Sequence, residues 1–334
     1  MEHRNFGNTD LACSVVGFGT WEMGGTQYGD IDLKAAVRAV EMAVDHGITL
    51  FDTAEVYGPF TSEELLAQGL GARRKDVVVV TKVGFAYRDD DTRGRSAVTG
   101  RNASPAHITA HAEDCLRRLD TDYIDLLLIH WPDHKTPHED TVGALEALKH
   151  AGKIRHYGVS NYDVPMMREC EQHGHLTANQ VGYHLFDRRM EADVLPFCGE
   201  AGIGFMSYGS LGFGLLTGAM TPETTFVDWD WRSGGKAFGL PLFEGEHFRA
   251  ELRVVDKLKS FAADHGKSVA QLAIAWVLGN PALTVALVGM RDERELEENT
   301  AAADWQLSED DRQAIDAIFE EEGVPTYVDE PQAR

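Results

Sequence analysis

A cadence runs through this chain: a helical pattern, a glycine stop, then a short run of apolar residues. That alternation constrains the fold more than any other feature. The first unit begins Asp32-Leu33-Lys34-Ala35-Ala36-Val37, with Asp32 as N-cap and Leu33, Val37, Val40 and Val44 on one helical face. It stops at Gly47, and Ile48-Thr49-Leu50-Phe51-Asp52 follows as a buried strand. Gly152, Gly174 and Gly202 take the same place in later units, where a left-handed residue ends a helix at low cost. Apolar runs begin near Val15, Leu50, Val77, Ile124, Arg155, Ala178, Ile203 and Thr284, giving eight expected strands. Helices between them start at Ser104-Pro105 and at Ser268.

Strands that are apolar throughout and alternate with helices imply a parallel sheet covered on its outer face. Eight such units in 334 residues favour an α/β (β/α)8 barrel (a TIM barrel), with an open doubly wound sheet as the alternative. Residues 1–334 read as a single domain, with a small hairpin at Asn5 to Leu11 ahead of the first barrel strand. The cadence lapses after the seventh strand, between Leu211 and Arg249, where Phe226, Trp229, Trp231, Phe238 and Phe243 recur among glycine and proline. A loop so rich in aromatics is expected to be an ordered lid or pocket wall, against the alternative of a surface loop packed on itself.

The formal charge of −23 excludes a non-specific nucleic-acid binder, which needs a basic face. No stretch of about 18 uncharged apolar residues offers a membrane span. Cys13, Cys115, Cys170 and Cys198 are scattered without metal-ligand spacing, as reduced thiols are. With no apolar signal core after Met1, a cytoplasmic location is expected. Quaternary state leaves no mark in the sequence.

Polar residues stand where the apolar runs end. Asp52 closes the second strand, Lys82 the third and His130 the fourth; Ser160 and Asn161 follow the fifth, Gln180 ends the sixth and Tyr208 follows the seventh. In a barrel these ends share one rim, where such enzymes place their chemistry. Asp52, Tyr57, Lys82 and His130 form a coherent catalytic set. A phenol titrates near 10, too high for an efficient proton donor and acceptor at neutral pH. A lysine beside it would stabilise phenolate, an aspartate would hold the lysine charged, and a histidine could orient a carbonyl. That is acid catalysis of carbonyl reduction with hydride supplied by a cofactor.

At these residues the chain resembles the aldo-keto reductases. Asp52-Thr53-Ala54-Glu55-Val56-Tyr57-Gly58 is similar to the signature around the family's catalytic tyrosine, Val80-Thr81-Lys82 to its lysine strand, and Leu126 through Pro132 to its histidine strand. The similarity runs from about Asn5 to about Ile318. It implies an oxidoreductase converting an aldehyde or ketone to an alcohol, or the reverse, with NADP(H) preferred and NAD(H) the alternative. It implies nicotinamide contacts at Thr20, Trp21, Ser160, Asn161, Gln180 and Tyr208, and pyrophosphate contacts along Gly209, Ser210, Leu211 and Gly214. The adenosine end would lie at Gly289, Arg291, Glu295 and Asn299. Arg291 offers a cation to a 2′-phosphate, while Asp292 and Glu295 oppose one. Trp21, Met23, Trp131, Trp229 and Trp231 are the expected substrate contacts.

Departures from the family pattern are Tyr208-Gly209-Ser210-Leu211 for the usual Tyr-Ser-Pro-Leu, Phe213 for a nearby cation, and Gly182 for a frequent glutamate. Two further patterns are set aside. The run from Gly209 to Gly214 does not spell the G-x-G-x-x-G of a dinucleotide fold. His107 and His111 are spaced like zinc ligands, but without a following glutamate or an evident third ligand they read as a solvated face, and no metal is expected. A cofactor-sensing regulatory protein of the same fold is the competing function, and would be expected to carry a long N-terminal extension. A metal-dependent hydrolase would need several rim ligands where only His130 stands, beside a lysine.

Overall fold

The computed structural model describes residues 1–25, 28, 32–58, 60–88 and 98–328. Strands β1 (His3–Asn5) and β2 (Ala12–Ser14) pair antiparallel as the expected hairpin. There follow β3 (Val16–Gly19), α1 (Leu33–Asp45), β4 (Leu50–Asp52), α2 (Thr61–Leu70) and β5 (Val78–Val83). A second hairpin, β6 (Phe85–Tyr87) with β7 (Val98–Arg101), stands on the end of β5. Next come α3 (Pro105–Arg118), β8 (Ile124–Ile129), α4 (His138–His150), β9 (Ile154–Ser160), α5 (Val164–Cys170) and β10 (Ala178–Gly182). The chain finishes with α6 (Val194–Ala201), β11 (Gly204–Tyr208), α7 (Gly245–Asp264), α8 (Val269–Leu278), β12 (Leu283–Val288), α9 (Glu293–Thr300) and α10 (Glu309–Glu322).

Strands β3, β4, β5, β8, β9, β10, β11 and β12 close a parallel barrel, β12 completing it against β3. The open-sheet alternative is thereby excluded. Alternate barrel residues point inward: Leu50, Val78, Val80, Leu126, Leu128, Met206 and Val285 form one inner cluster with Phe6, Leu11 and Cys13 of the first hairpin. The other set packs outward under the helices. Such two-sided burial is why the strands read as unbroken apolar runs.

Local signals hold in most places. Asp32 caps α1 by accepting from Lys34 and Ala35 amides, and Ser268 forms a capping box with Gln271 at α8. Gly47, Gly152 and Gly202 are left-handed as expected. Gly174 is not: its φ is negative, and it is required because a Cβ there would collide with the Tyr157 hydroxyl. Leu33 also departs from the expected buried face, lying 52% exposed in the first turn of α1. The loop after β11 is ordered as expected, but α7 begins at Gly245, before the anticipated end at Arg249. All four cysteines are buried and free. Among the described residues, no helix is long and apolar enough to cross a membrane.

Candidate active site

Lys82 lies on β5 with no exposed surface, and each of its three ammonium hydrogens has a receiver. Nζ donates to Asp52 Oδ2 at 2.7 Å, to the Thr53 carbonyl at 2.8 Å and to the Tyr57 hydroxyl at 3.1 Å. Because the Tyr57 oxygen accepts from Lys82, the phenol's own hydrogen is left to be given elsewhere. Asp52, at the end of β4, takes a second bond at Oδ1 from Gln180 Nε2, 2.7 Å away. Tyr57 reaches the group through a tight turn in which Gly58 has φ 87° and a Cβ would collide with the Gly24 carbonyl. His130 stands edge-on to Tyr57, ring centroids 5.9 Å apart, and its Nδ1 is buried without a partner among the described residues.

Burial dominates the electrostatics. It pushes the Asp52 carboxyl up and the Lys82 ammonium down, each opposed by the other's charge. His130 is held well below the usual imidazole range by burial, then by Lys82 and Arg101, so the ring is neutral and can donate one hydrogen bond. Tyr57 is pushed well above its ordinary value by burial first and the Asp52 charge second. The expected lowering by Lys82 is therefore outweighed, and in this closed arrangement the phenol is loaded with its proton.

The other rim residues gather beside this group. Ser160 donates to the Gln180 carbonyl at 2.8 Å; Asn161, at φ 63°, donates to the His130 carbonyl and accepts from the Tyr208 hydroxyl at 2.8 Å. Thr20 is fully buried and donates to the Asp52 carbonyl, so its hydroxyl braces β4 and is not presented at the rim. Gly209, Gly212 and Gly214 adopt φ of 66°, 57° and 101°, and the buried Ser210 lies on Ser207, 3.0 Å between hydroxyls. Leu211 is half-buried in the same turn, packed against the core. Beyond β12, Gly289 abuts the Glu22 carboxylate, which burial pushes up to about 7. Glu22 was not among the expected site residues; lying inside a tryptophan–methionine pair, it carries no sequence signal of its own. Arg291 makes a forked ion pair with Glu295, Nη2 to Oε1 at 2.6 Å, and Asn299 is buried in α9.

The aromatic loop lies over this rim. Trp231 stacks on Trp21 at 5.6 Å, Phe238 lies 5.1 Å from Tyr208 and stacks on Trp131 at 6.3 Å, and Trp21 stacks on Tyr57 at 6.1 Å. The loop's aromatics thus pack both on one another and on these rim residues. Met23 is buried, whereas Trp229, an expected substrate contact, is 49% exposed. Phe213 joins the cluster, 5.3 Å from Phe238, so the aromatic that replaces the family's usual cation is a wall residue.

Residues 15–320 match the model of the Aldo/keto reductase family. The chain belongs to that family. It is 33% identical to an NADH-specific methylglyoxal reductase of Escherichia coli (strain K12), covering 93% of this chain and 96% of that protein. The glycerol dehydrogenase of Gluconobacter oxydans superposes with a TM-score of 0.86 at 35% identity, over 95% of this chain and 94% of that one. An aldo-keto reductase of Klebsiella pneumoniae in complex with NADPH gives 0.73 at 30% identity, over 94% of each chain.

One expectation for this aldo/keto reductase fails beside the site. His107 and His111 are not a solvated face: both are half-buried on α3, and His111 Nδ1 meets Glu55 Oε2 at 2.6 Å. The third group that the sequence did not reveal comes from the tyrosine signature segment itself.

Proposed function

We propose that this aldo/keto reductase is an NAD(P)H-dependent oxidoreductase that interconverts a small carbonyl compound and its alcohol, with Tyr57 as proton donor and acceptor. The observation that carries the reading is the buried Lys82 ammonium in contact with both Asp52 and the Tyr57 hydroxyl. A bound nicotinamide cofactor supplies or accepts hydride; the protein supplies position, charge and the proton. The residues present fit such a cofactor. Ser160, Asn161 and Gln180 cluster amide-matching groups beside Tyr208, which is half-buried. The left-handed glycines from Gly209 to Gly214 let backbone approach a pyrophosphate without side-chain interference.

In the reducing direction a carbonyl oxygen lies between the Tyr57 hydroxyl and the neutral His130. His130 holds it by a hydrogen bond, and Tyr57 delivers its proton as negative charge develops there. Lys82 stabilises the phenolate so formed, and Asp52 balances the lysine. The lid aromatics exclude water. Relatives named for methylglyoxal and glycerol support a small oxygenated substrate.

NADPH is the preferred cofactor in this reading and NADH the alternative. Among the described residues Arg291 pairs with Glu295 through Nε and Nη2, which leaves Nη1 for a 2′-phosphate beyond the strand end. The NADPH complex of the Klebsiella relative supports that preference, and the NADH-specific relative keeps the alternative in play. Tyr57→Phe tests the proton role: turnover of an activated aldehyde should fall about 10²–10⁴-fold with cofactor affinity retained. Turnover at the parent rate would overturn it.

A further inference from the structure

Behind Tyr57, on its α3 side, lies a cluster of titratable groups that the proposed chemistry does not use. Glu55 is fully buried; Oε2 meets His111 Nδ1, while Oε1 is buried with no partner among the described residues. A buried carboxylate oxygen without a donor is costly and calls for a cation. The neighbouring Arg118 does not serve it, since its Nε is on Glu63 Oε2 at 2.5 Å. His107, one turn before His111 on α3, stacks on that ring with centroids 3.8 Å apart. Its Nε2 is 2.9 Å from the Phe85 carbonyl. A carbonyl only accepts, so Nε2 carries the proton and Nδ1 keeps its lone pair. One ligand atom from each of Glu55, His107 and His111 lies within 4.8 Å of the other two.

We infer that Glu55, His107 and His111 form a site for a divalent transition ion of the Zn²⁺ type, with a fourth position left to water. Two imidazoles and a carboxylate are a zinc donor set, and a backbone carbonyl on the far nitrogen of His107 is the kind of outer contact that fixes a ligating tautomer. In a tetrahedral zinc site ligand atoms stand roughly 3.3 Å apart, given metal–ligand bonds near 2.0 Å. The ion would take the place of the proton now held between Glu55 Oε2 and His111 Nδ1, releasing it to solvent, and the 2.6 Å contact would open by a fraction of an ångström. The ion would tie α3 to the segment that carries Tyr57, two residues beyond Glu55. A second group, His46 with Glu293 and Glu297, is half-buried at the histidine and exposed at both acids, and has no such orphaned atom.

The test uses the full chain stripped by chelator and titrated with Zn²⁺ against a competing chromophoric chelator, with Co²⁺ absorption reporting geometry. One tight equivalent is expected, with a low-coordinate Co²⁺ spectrum and a rise in melting temperature. His107→Gln should weaken Zn²⁺ at least tenfold and abolish that rise, leaving the ion-free melting temperature near the parent's; Glu55→Gln should weaken Zn²⁺ similarly. His46→Gln should change nothing. Equal affinity in parent and His107→Gln, a six-coordinate Co²⁺ spectrum, or loss of the tight equivalent in His46→Gln would each overturn the assignment.

Discussion

Removing Lys82 and Asp52 singly and together separates what their contact does for folding from what it does for chemistry. Lys82 has no exposed surface and Asp52 is 3% exposed, so either alone leaves its partner buried without a counter-charge. For Lys82→Met the stranded carboxylate keeps only the Gln180 Nε2 bond at 2.7 Å. Breaking a buried pair in this way costs about 3–5 kcal/mol. At about 2.1 cal/mol/K per residue, unfolding 334 residues has an entropy of roughly 0.7 kcal/mol/K, so the melting temperature should fall by about 4–7 °C. Asp52→Asn should cost a similar amount. The double variant removes both charges and should recover most of the loss, giving a coupling of several kcal/mol by double-mutant cycle. Turnover should stay low in all three, because each loses the arrangement around the Tyr57 hydroxyl. Thermal melts and single-turnover reduction of an aldehyde report the two quantities independently. Additive losses in stability would refute a coupled pair, and recovery of turnover in the double variant would refute its role beside Tyr57.

Arg291→Ala should weaken NADPH about ten- to a hundredfold, the worth of a charge-assisted hydrogen bond, with a much smaller effect on NADH. Glu295→Gln, which releases the guanidinium from its forked partner, should strengthen NADPH; equal losses for both cofactors in Arg291→Ala would refute the 2′-phosphate contact. Glu251 on α7 is 2% exposed, its Oε2 has no partner among the described residues, and burial pushes its carboxyl up to about 9 from the ordinary 4.5. Between those values the folded chain holds a proton that the unfolded chain has released, so this contribution to stability is whole below pH about 4.5 and drains away toward pH 9. Glu251→Gln should therefore gain more in melting temperature at pH 8 than at pH 5, and equal shifts would refute a neutral buried acid.

The barrel was legible because its strands are apolar on both faces and its helices stop at glycines, two signals that need no tertiary knowledge. The clustering of Asp52, Lys82 and His130 was legible for the same reason: they interrupt apolar runs where a barrel gathers strand ends. What stayed hidden depends on distance in the chain or on burial. Glu55 and His111 are 56 residues apart, and only the fold brings them to 2.6 Å. Tyr57 was expected to be pulled down by Lys82, but desolvation, which a sequence does not display, pushes it up. The β6–β7 hairpin was missed because strands of three and four residues carry no periodicity. Gly174 shows one signal with two causes: a glycine at a helix end marks either a left-handed turn or a close approach, and here it is the latter.

The N-terminal hairpin bears on how the proposed site is reached. Phe6, Leu11 and Cys13 are part of the barrel's inner cluster, and Phe6 presses on Gly204 where β11 begins, so the base of the barrel is stoppered. At the opposite rim, Trp21 packs against Tyr57, Trp231 and Phe238. In the proposed reading, cofactor and substrate would both reach Tyr57 from that rim, past the same aromatic side chains.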